Sequence, residues 1–346
     1  LLKYNIKEQD INLFLRAWNQ MNNTKECIYV GYDSTNFNTN AYGIELADYG
    51  HPKVDEGLPQ YNLAYAVNQK DSTPLFYELY DGSVIDNTEL EIMLEEAKEF
   101  GHEKLGVLMD RGYISEKNIK ALRTKGYEYI LMMKQNQRIC QEIIEEYGAA
   151  VQSLEGYYIG EHGVYGTTVK KQLYGQETNI HVYYDDIRAS EEKVALMSRY
   201  ETWEKEIEKK VEKKLATEGE MKKYRKVFKL KYDQNGYLVA YQRNSRYIKE
   251  EIRNLGFFFI ITSEEMSASK ALDIYRGRDN IEKMFRSLKS GIDFNKARVH
   301  TTESLKSKVF VTFIAMIVRN ELFQKAEELR KKNRKAYTVP GMISEL

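Results

Sequence analysis

The sequence predicts an α/β protein, a mixed sheet with flanking helices that is interrupted by a mostly β insertion. Three observations predict it. Apolar runs and helical patterns follow one another as β-β-β-α-β-α-β before about residue 134 of 346. From about Gln135 the texture changes to tyrosine-rich alternating stretches. After one more apolar run, Gly256–Ile261, the pattern is helical to the end.

A single helix, Asp10–Met21, precedes the first strand. Glu26–Asp33, Gln60–Val67 and Pro74–Tyr80 are β-rich runs bounded by turn residues, which predicts a meander. Thr88 and Glu91 have capping-box spacing and open a helix that carries Leu90, Met93, Leu94 and Ala97 on one face. The strand Leu105–Met109 ends at Asp110. Ser115 caps the next helix, Gly126 stops it, and Tyr127–Met133 is the fifth strand. Inside the insertion, Val169–Tyr184 and Lys226–Tyr241 alternate as strands, the latter turning at Asp233–Gly236. Between them Glu191–Glu218 is a charged helical run, with Glu204, Glu208 and Glu212 near Lys205, Lys209 and Lys213, and it reads as a solvated helix or short coiled coil. Ala268–Lys289 and Glu303 to about Lys332 are the closing helices. The expected divisions are a helical remnant (1–25), the first part of a core (26–134), the insertion (135–255), the end of the core (256–302) and a C-terminal helical region (303–346).

Composition narrows the function classes. Hydrophobic residues at 42% and charged residues at 30% exclude a disordered chain. The longest apolar run, Val309–Val318, is about half the roughly 20 residues needed to cross a bilayer and is broken by Thr312, so no membrane partner is expected. Cys27 and Cys140 are too few for a disulfide framework or a metal clip, which favours a reducing cytoplasm. The five histidines never fall at zinc-ligand spacing, so metal chemistry would use carboxylates. The opening Leu1-Leu2-Lys3, without methionine or signal pattern, reads as the interior of a longer chain.

Fifty-two basic and 52 acidic residues cancel, and the distribution of charge says more than its sum. Lys222–Lys231 holds six cations and no acid. Strand alternation sets Lys229 and Lys231 opposite Phe228, Leu230 and Tyr232, either as a basic edge for DNA or as a solvated hairpin.

Two aspartates, Asp33 and Asp110, end expected central strands, where an ionised carboxylate is costly unless it has a cation or donors beside it. Either each caps a turn or the pair holds a metal. A third carboxylate, Glu282, falls with Tyr275, Arg278 and Lys289 within an arc of about 60° on a continuous helix, beside an apolar stripe of Ile274, Ile281, Phe285 and Leu288. The face is either an exposed ion-paired surface or one shaped for a phosphodiester. Three carboxylates from separate segments are what two-metal phosphoryl transfer requires, because position and charge carry that reaction.

At these residues the sequence resembles the DDE transposases of bacterial insertion sequences, in the cut-and-paste group with the YREK signature. Tyr275, Arg278, Glu282 and Lys289 match Tyr-x₂-Arg-x₃-Glu-x₆-Lys without a gap, and Asp33-Ser-Thr and Asp110-Arg-Gly-Tyr look like the first and second aspartates. The stretches Leu58–Ala64 and Pro74–Gly82 share the look of the family, and the resemblance runs from about Cys27 to Ala315. It implies a ribonuclease H-like mixed sheet with flanking helices, interrupted by a mostly β insertion domain. It also implies two Mg²⁺ ions, or Mn²⁺ in their place, between Asp33, Asp110 and Glu282. The implied partners are double-stranded DNA, as transposon ends and target, and a second copy in the synaptic complex; the implied location is the bacterial cytoplasm, with the nucleoid. Tyr275, Arg278 and Lys289 would contact end phosphates. Some members stack a flipped base on an aromatic residue just before this region; Phe258 of Phe257-Phe258-Phe259 is the equivalent, unless that run is simply a buried strand. Against the family's pattern, the N-terminal DNA-binding domain is expected to be missing from this stretch, and the dimerisation helices to be cut short near Leu346. The alternatives are a ribonuclease H-like nuclease without strand transfer, a degenerate copy that only binds DNA, and a carboxylate-pair glycosidase, for which only acids and aromatics speak.

Overall fold

The computed structural model describes residues 6–23, 27–49, 57–83, 86–102, 104–109, 114–153, 157–213, 219–279, 298–333 and 338–344. After a first helix, α1 (Glu8–Asn22), come strands β1 (Ile28–Asn38), β2 (Gln60–Asn68) and β3 (Pro74–Asp81). Helix α2 (Asp86–Glu99), β4 (Leu105–Met109), α3 (Glu116–Lys125) and β5 (Glu128–Met132) complete the expected β-β-β-α-β-α-β order. The next elements are α4 (Arg138–Ser153), β6 (Tyr158–Ile159), β7 (Val164–Leu173), β8 (Gln176–Tyr184), α5 (Asp186–Lys213), β9 (Phe228–Tyr232), β10 (Leu238–Arg243) and α6 (Ser245–Asn254). Strand β11 (Phe257–Thr262), α7 (Ala268–Arg276) and helices over Thr302–Asn333 and Val339–Ser344 close the chain.

Nine strands form one mixed sheet in the order β3-β2-β1-β4-β5-β11-β8-β7-β6, and β9 and β10 pair separately. β1 and β2 are antiparallel, as are β2 and β3, whereas β4 runs parallel to both β1 and β5. This meander joined to parallel crossovers, with helices between, is a ribonuclease H-like core. All but the last residue of β2 are buried, and so is every residue of β11, which explains their nearly continuous apolar sequences. The local signals for α3 act as expected: Ser115 accepts from the Asn118 N–H, and Gly126 at φ 74° ends the helix.

Contacts divide the chain into two units, one of Leu1–Met132, Lys170–Asn179 and Ile260–Leu346, the other of Met133–Val169 and Ile180–Phe259. In the first, Phe313 of the long C-terminal helix stacks on Tyr65 of β2 with centroids 6.1 Å apart, and Trp18 of α1 donates to the Pro74 carbonyl at 2.7 Å. In the second, α5, α6, β9 and β10 enclose a core of Leu196, Tyr200, Ile207, Tyr224, Phe228 and Leu238.

Four expectations are revised. β1 does not end at Asp33; it runs to Asn38 because Ser34–Asn38 continues the ladder with β2 as far as Asn38↔Gln60. The stretch 135–255 carries α4 and α6 as well as the charged helix. That helix, α5, is not simply solvated: it buries Leu196, Tyr200 and Ile207, and its carboxylates reach residues of the same unit, Glu204 pairing with Arg243, Glu206 with Lys223 and Glu208 with the Tyr241 hydroxyl. Finally, the expected continuous helix Ala268–Lys289 is broken. α7 ends at Arg276, and Gly277 caps it with its N–H shared between the Asp273 and Ile274 carbonyls. A Cβ on Gly277 would lie 2.3 Å from the Gln69 side chain, so Gln69, next after β2, approaches closely here.

Candidate active site

Asp33 lies in β1 opposite Tyr65 of β2, and β1 is parallel to β4 with Gly31 level with Leu108. That is the last paired position, one residue before β4 ends at Met109. The carboxyl end of this parallel pair is therefore where Asp33 sits, the usual location for ligands in sheets of this kind. Asp110 follows Met109 but, with Glu282 and Lys289, lies outside the described residues. Among the described residues no group of three His, Cys, Asp or Glu is placed to hold a metal ion.

Tyr275 and Arg278 lie at the end of α7 and just after it. Tyr275 belongs to the buried stripe with Ala268, Ala271 and Leu272, not to an exposed face. The Arg278 guanidinium stands 5.8 Å from the Tyr275 ring centroid, and the Arg278 N–H donates to the Tyr275 carbonyl at 3.0 Å. Tyr275 and Arg278 are joined by a turn at the end of α7, while the Glu282 and Lys289 positions of the expected face lie outside the described residues.

In the other unit Phe258 is buried within β11. Its ring stacks on Tyr183 at 4.8 Å, with the Arg188 guanidinium 5.5 Å from its centroid. A base could use this ring only by displacing one of them. Lys229 and Lys231 are exposed on β9 while Phe228 is buried, the alternation the sequence implies, and neither lysine has an ion pair among the described residues.

The site also has a neighbour that sequence reasoning missed. Where β1 ends, a cavity of about 240 Å³ is lined by Asn38, Asn40, Leu58, Arg298, Val299 and His300. Its far wall is clamped to the loop after β1. Gly43 forms a parallel bridge with Thr301, and the Glu45 N–H donates to Thr302 Oγ1 at 2.9 Å. Arg298 adopts φ 53°, a left-handed conformation that costs a non-glycine residue about 1–2 kcal/mol. Cys27, by contrast, is no candidate nucleophile: burial, then the Glu128 carboxylate, push its thiol up to about 12, so it stays protonated at neutral pH.

A family model described as "Transposase DDE domain" matches residues 30–318. The chain belongs to the transposase DDE domain family. The matched span contains all the candidate residues on the page, from Asp33 to Lys289, and the missed cavity as well. Among solved structures, the chain is similar to piggyBac transposase in a synaptic complex with hairpin DNA, at a TM-score of 0.44 and 8% identity over 95% of this chain and 52% of that one. It thus spans about half the length of that protein. A comparison with curated proteins returned no match. Among its described residues the chain has no helix long and apolar enough to cross a membrane.

Proposed function

We propose that the chain is the catalytic part of a bacterial insertion-sequence transposase that cleaves DNA at the transposon ends and joins the freed strands to target DNA. The observation that carries this reading is the β1–β4 register. The pairing of β1 with β4 stops at Gly31↔Leu108, Asp33 follows two residues later on β1, and in the sequence Asp110 directly follows the last residue of β4. Two aspartates just beyond the last paired position of neighbouring parallel strands suit a shared set of hard oxygen ligands. Two Mg²⁺ ions, or Mn²⁺ in their place, held by Asp33, Asp110 and Glu282 would supply activation of the attacking oxygen and charge stabilisation at the leaving oxygen.

The remaining roles fall to this chain's own cations. Arg278 clamps a phosphate of the end DNA, its guanidinium oriented by the buried Tyr275 ring beneath it. Lys289 of the YREK signature neutralises a second phosphate. Lys229 and Lys231 give β9 a basic face for sequence-independent contact. Two copies act together on paired ends, with the bacterial nucleoid as the place of action.

The test is product mapping with the full-length protein, labelled end DNA, target DNA and Mg²⁺. Cleavage with joining to target is expected, and Asp33→Asn, Asp110→Asn or Glu282→Gln should each abolish it while DNA binding persists. Cleavage without joining would instead make the protein a nuclease. Full Mg²⁺-dependent nicking by one of the three variants would remove that residue from the ligand set.

A further inference from the structure

The cavity at the end of β1 is built from two segments distant in sequence. Asn38, Thr39, Asn40 and Ala41 come from the loop leaving the strand, and Arg298, Val299 and His300 from the turn that leads into the long C-terminal helix. Its shape is maintained by the backbone. A Cβ on Gly43 would lie 2.4 Å from the His300 carbonyl oxygen, so the two segments are in closest approach. Thr39 donates its N–H to the Pro59 carbonyl at 2.9 Å, and Asn38 Nδ2 donates to the Leu58 carbonyl at 3.3 Å.

The lining selects a ligand class. Among the described residues the cavity is lined by a guanidinium and an imidazole and by no acid, which favours an anionic ligand. Leu58, Ala41 and Val299 give it apolar walls. At about 240 Å³ it falls below the roughly 300 Å³ at which pockets for drug-sized ligands begin, leaving room for one planar ring system. Asn40 is exposed at the rim with no side-chain partner among the described residues, and its amide offers the donor-acceptor pair that complements a base edge. Arg298 keeps its left-handed backbone at this rim, and a strained residue at a cavity is an observation that asks for a function.

We propose that this pocket binds one unstacked nucleotide of the DNA substrate, its base between Leu58 and Val299 with Asn40 on the base edge, and its phosphate on Arg298. This rests on the reading of the chain as a DNA-acting enzyme. Asn38 lies five residues beyond Asp33 on the same strand, about 17 Å at ~3.4 Å per residue. At ~3.4 Å per nucleotide step, that places the bound nucleotide about five steps from a phosphate held at Asp33.

The experiment is fluorescence anisotropy of the 346-residue chain with labelled (dA)₁₂ and with a 12-mer of abasic sugar-phosphate, which has the same charge without bases. Wild type should bind (dA)₁₂ about tenfold more tightly than the abasic strand. Val299→Trp, which fills the slot, and Asn40→Leu should lose that preference and keep the abasic affinity. Arg298→Gly removes the cation while suiting the left-handed backbone, so it cannot misfold through strain at that position. It should weaken both probes and lower the salt slope by about one. Base preference that survives Val299→Trp and Asn40→Leu overturns the pocket and leaves DNA binding intact. Equal loss on both probes in those two variants overturns it too, as does full competition by free dAMP, which would assign the site to a mononucleotide. If wild type binds neither strand nor end DNA, the DNA-acting reading falls, and this inference with it.

Discussion

Acidification should unlock the second unit through His181, and the structure sets both the direction and the size. The imidazole is fully buried on β8, with Nδ1 2.8 Å from Thr168 Oγ1, and burial pulls its pKa from 6.5 down to about 4. The folded unit therefore holds His181 neutral where the unfolded chain would protonate it. Above pH 6.5 this contribution to stability is fully present; it is lost progressively as pH falls from 6.5 to 4, because the unfolded state takes up a proton that the fold refuses. A displacement of about 2.5 units at ~1.36 kcal/mol per unit is about 3 kcal/mol. The only tryptophans are Trp18 and Trp203, and Trp203 packs against the core of the second unit, so a Trp18→Phe background makes fluorescence report on that unit. Urea unfolding of this protein and of its His181→Gln form should be compared between pH 7 and pH 4. The histidine form should lose about 3 kcal/mol more than the glutamine form across that window. Parallel pH profiles for the two forms would refute the argument, since only the imidazole differs between them.

Charge reversal at Lys229 and Lys231 should weaken non-specific DNA binding and flatten the dependence of log affinity on log salt by about two, as measured by anisotropy at several salt concentrations; an unchanged slope would mean that the β9 face is merely solvated. Gly82→Ala should destabilise the first unit by about 3 kcal/mol or more in urea, because the new Cβ would lie 1.8 Å from the Gln60 carbonyl oxygen and 2.8 Å from that of Asp48, both backbone atoms with no room to yield; a loss under 1 kcal/mol would contradict the close approach. Arg278→Lys should cut end-DNA cleavage at least tenfold, since an ammonium cannot reproduce a planar fork over the Tyr275 ring, and added Mg²⁺ should not restore it; rescue by metal would move Arg278 into the support of the metal site.

The elements that the sequence shows clearly are those whose signals close within a few residues. Ser115 and Gly126 bracket α3 because a cap is satisfied by the nearest turn of its own helix, and β4 ends at Met109 where apolar residues give way to Asp110-Arg111-Gly112. α4 was also legible, since Cys140, Ile143, Ile144 and Val151 recur at helical spacing, but the tyrosine-rich texture that follows drew the whole segment toward a β reading. The reach of β1 beyond Asp33 was not legible. Ser34, Thr35 and Asn36 have no apolar alternation, and they become strand only because β2 supplies the partners for their backbone groups.

The candidate site divides along the same line. That Asp33 and Asp110 each follow an apolar run is written in the sequence; that those runs form neighbouring parallel strands, level at Gly31 and Leu108, is decided by sheet pairing. Helical spacing puts Tyr275, Arg278, Glu282 and Lys289 on one face, but α7 ends at Arg276, and a residue of a distant segment, Gln69, lies against Gly277, which no local spacing announces. Nothing local in Asn38-Thr39-Asn40 or in Arg298-Val299-His300 announces a pocket. The sequence alone determined which residue types were available and how each short segment would fold, because propensity, capping and periodicity act over a few residues. Only the tertiary structure decided which of them meet, because side chains far apart in the chain acquire a common surface only when backbone pairing and packing bring their segments together.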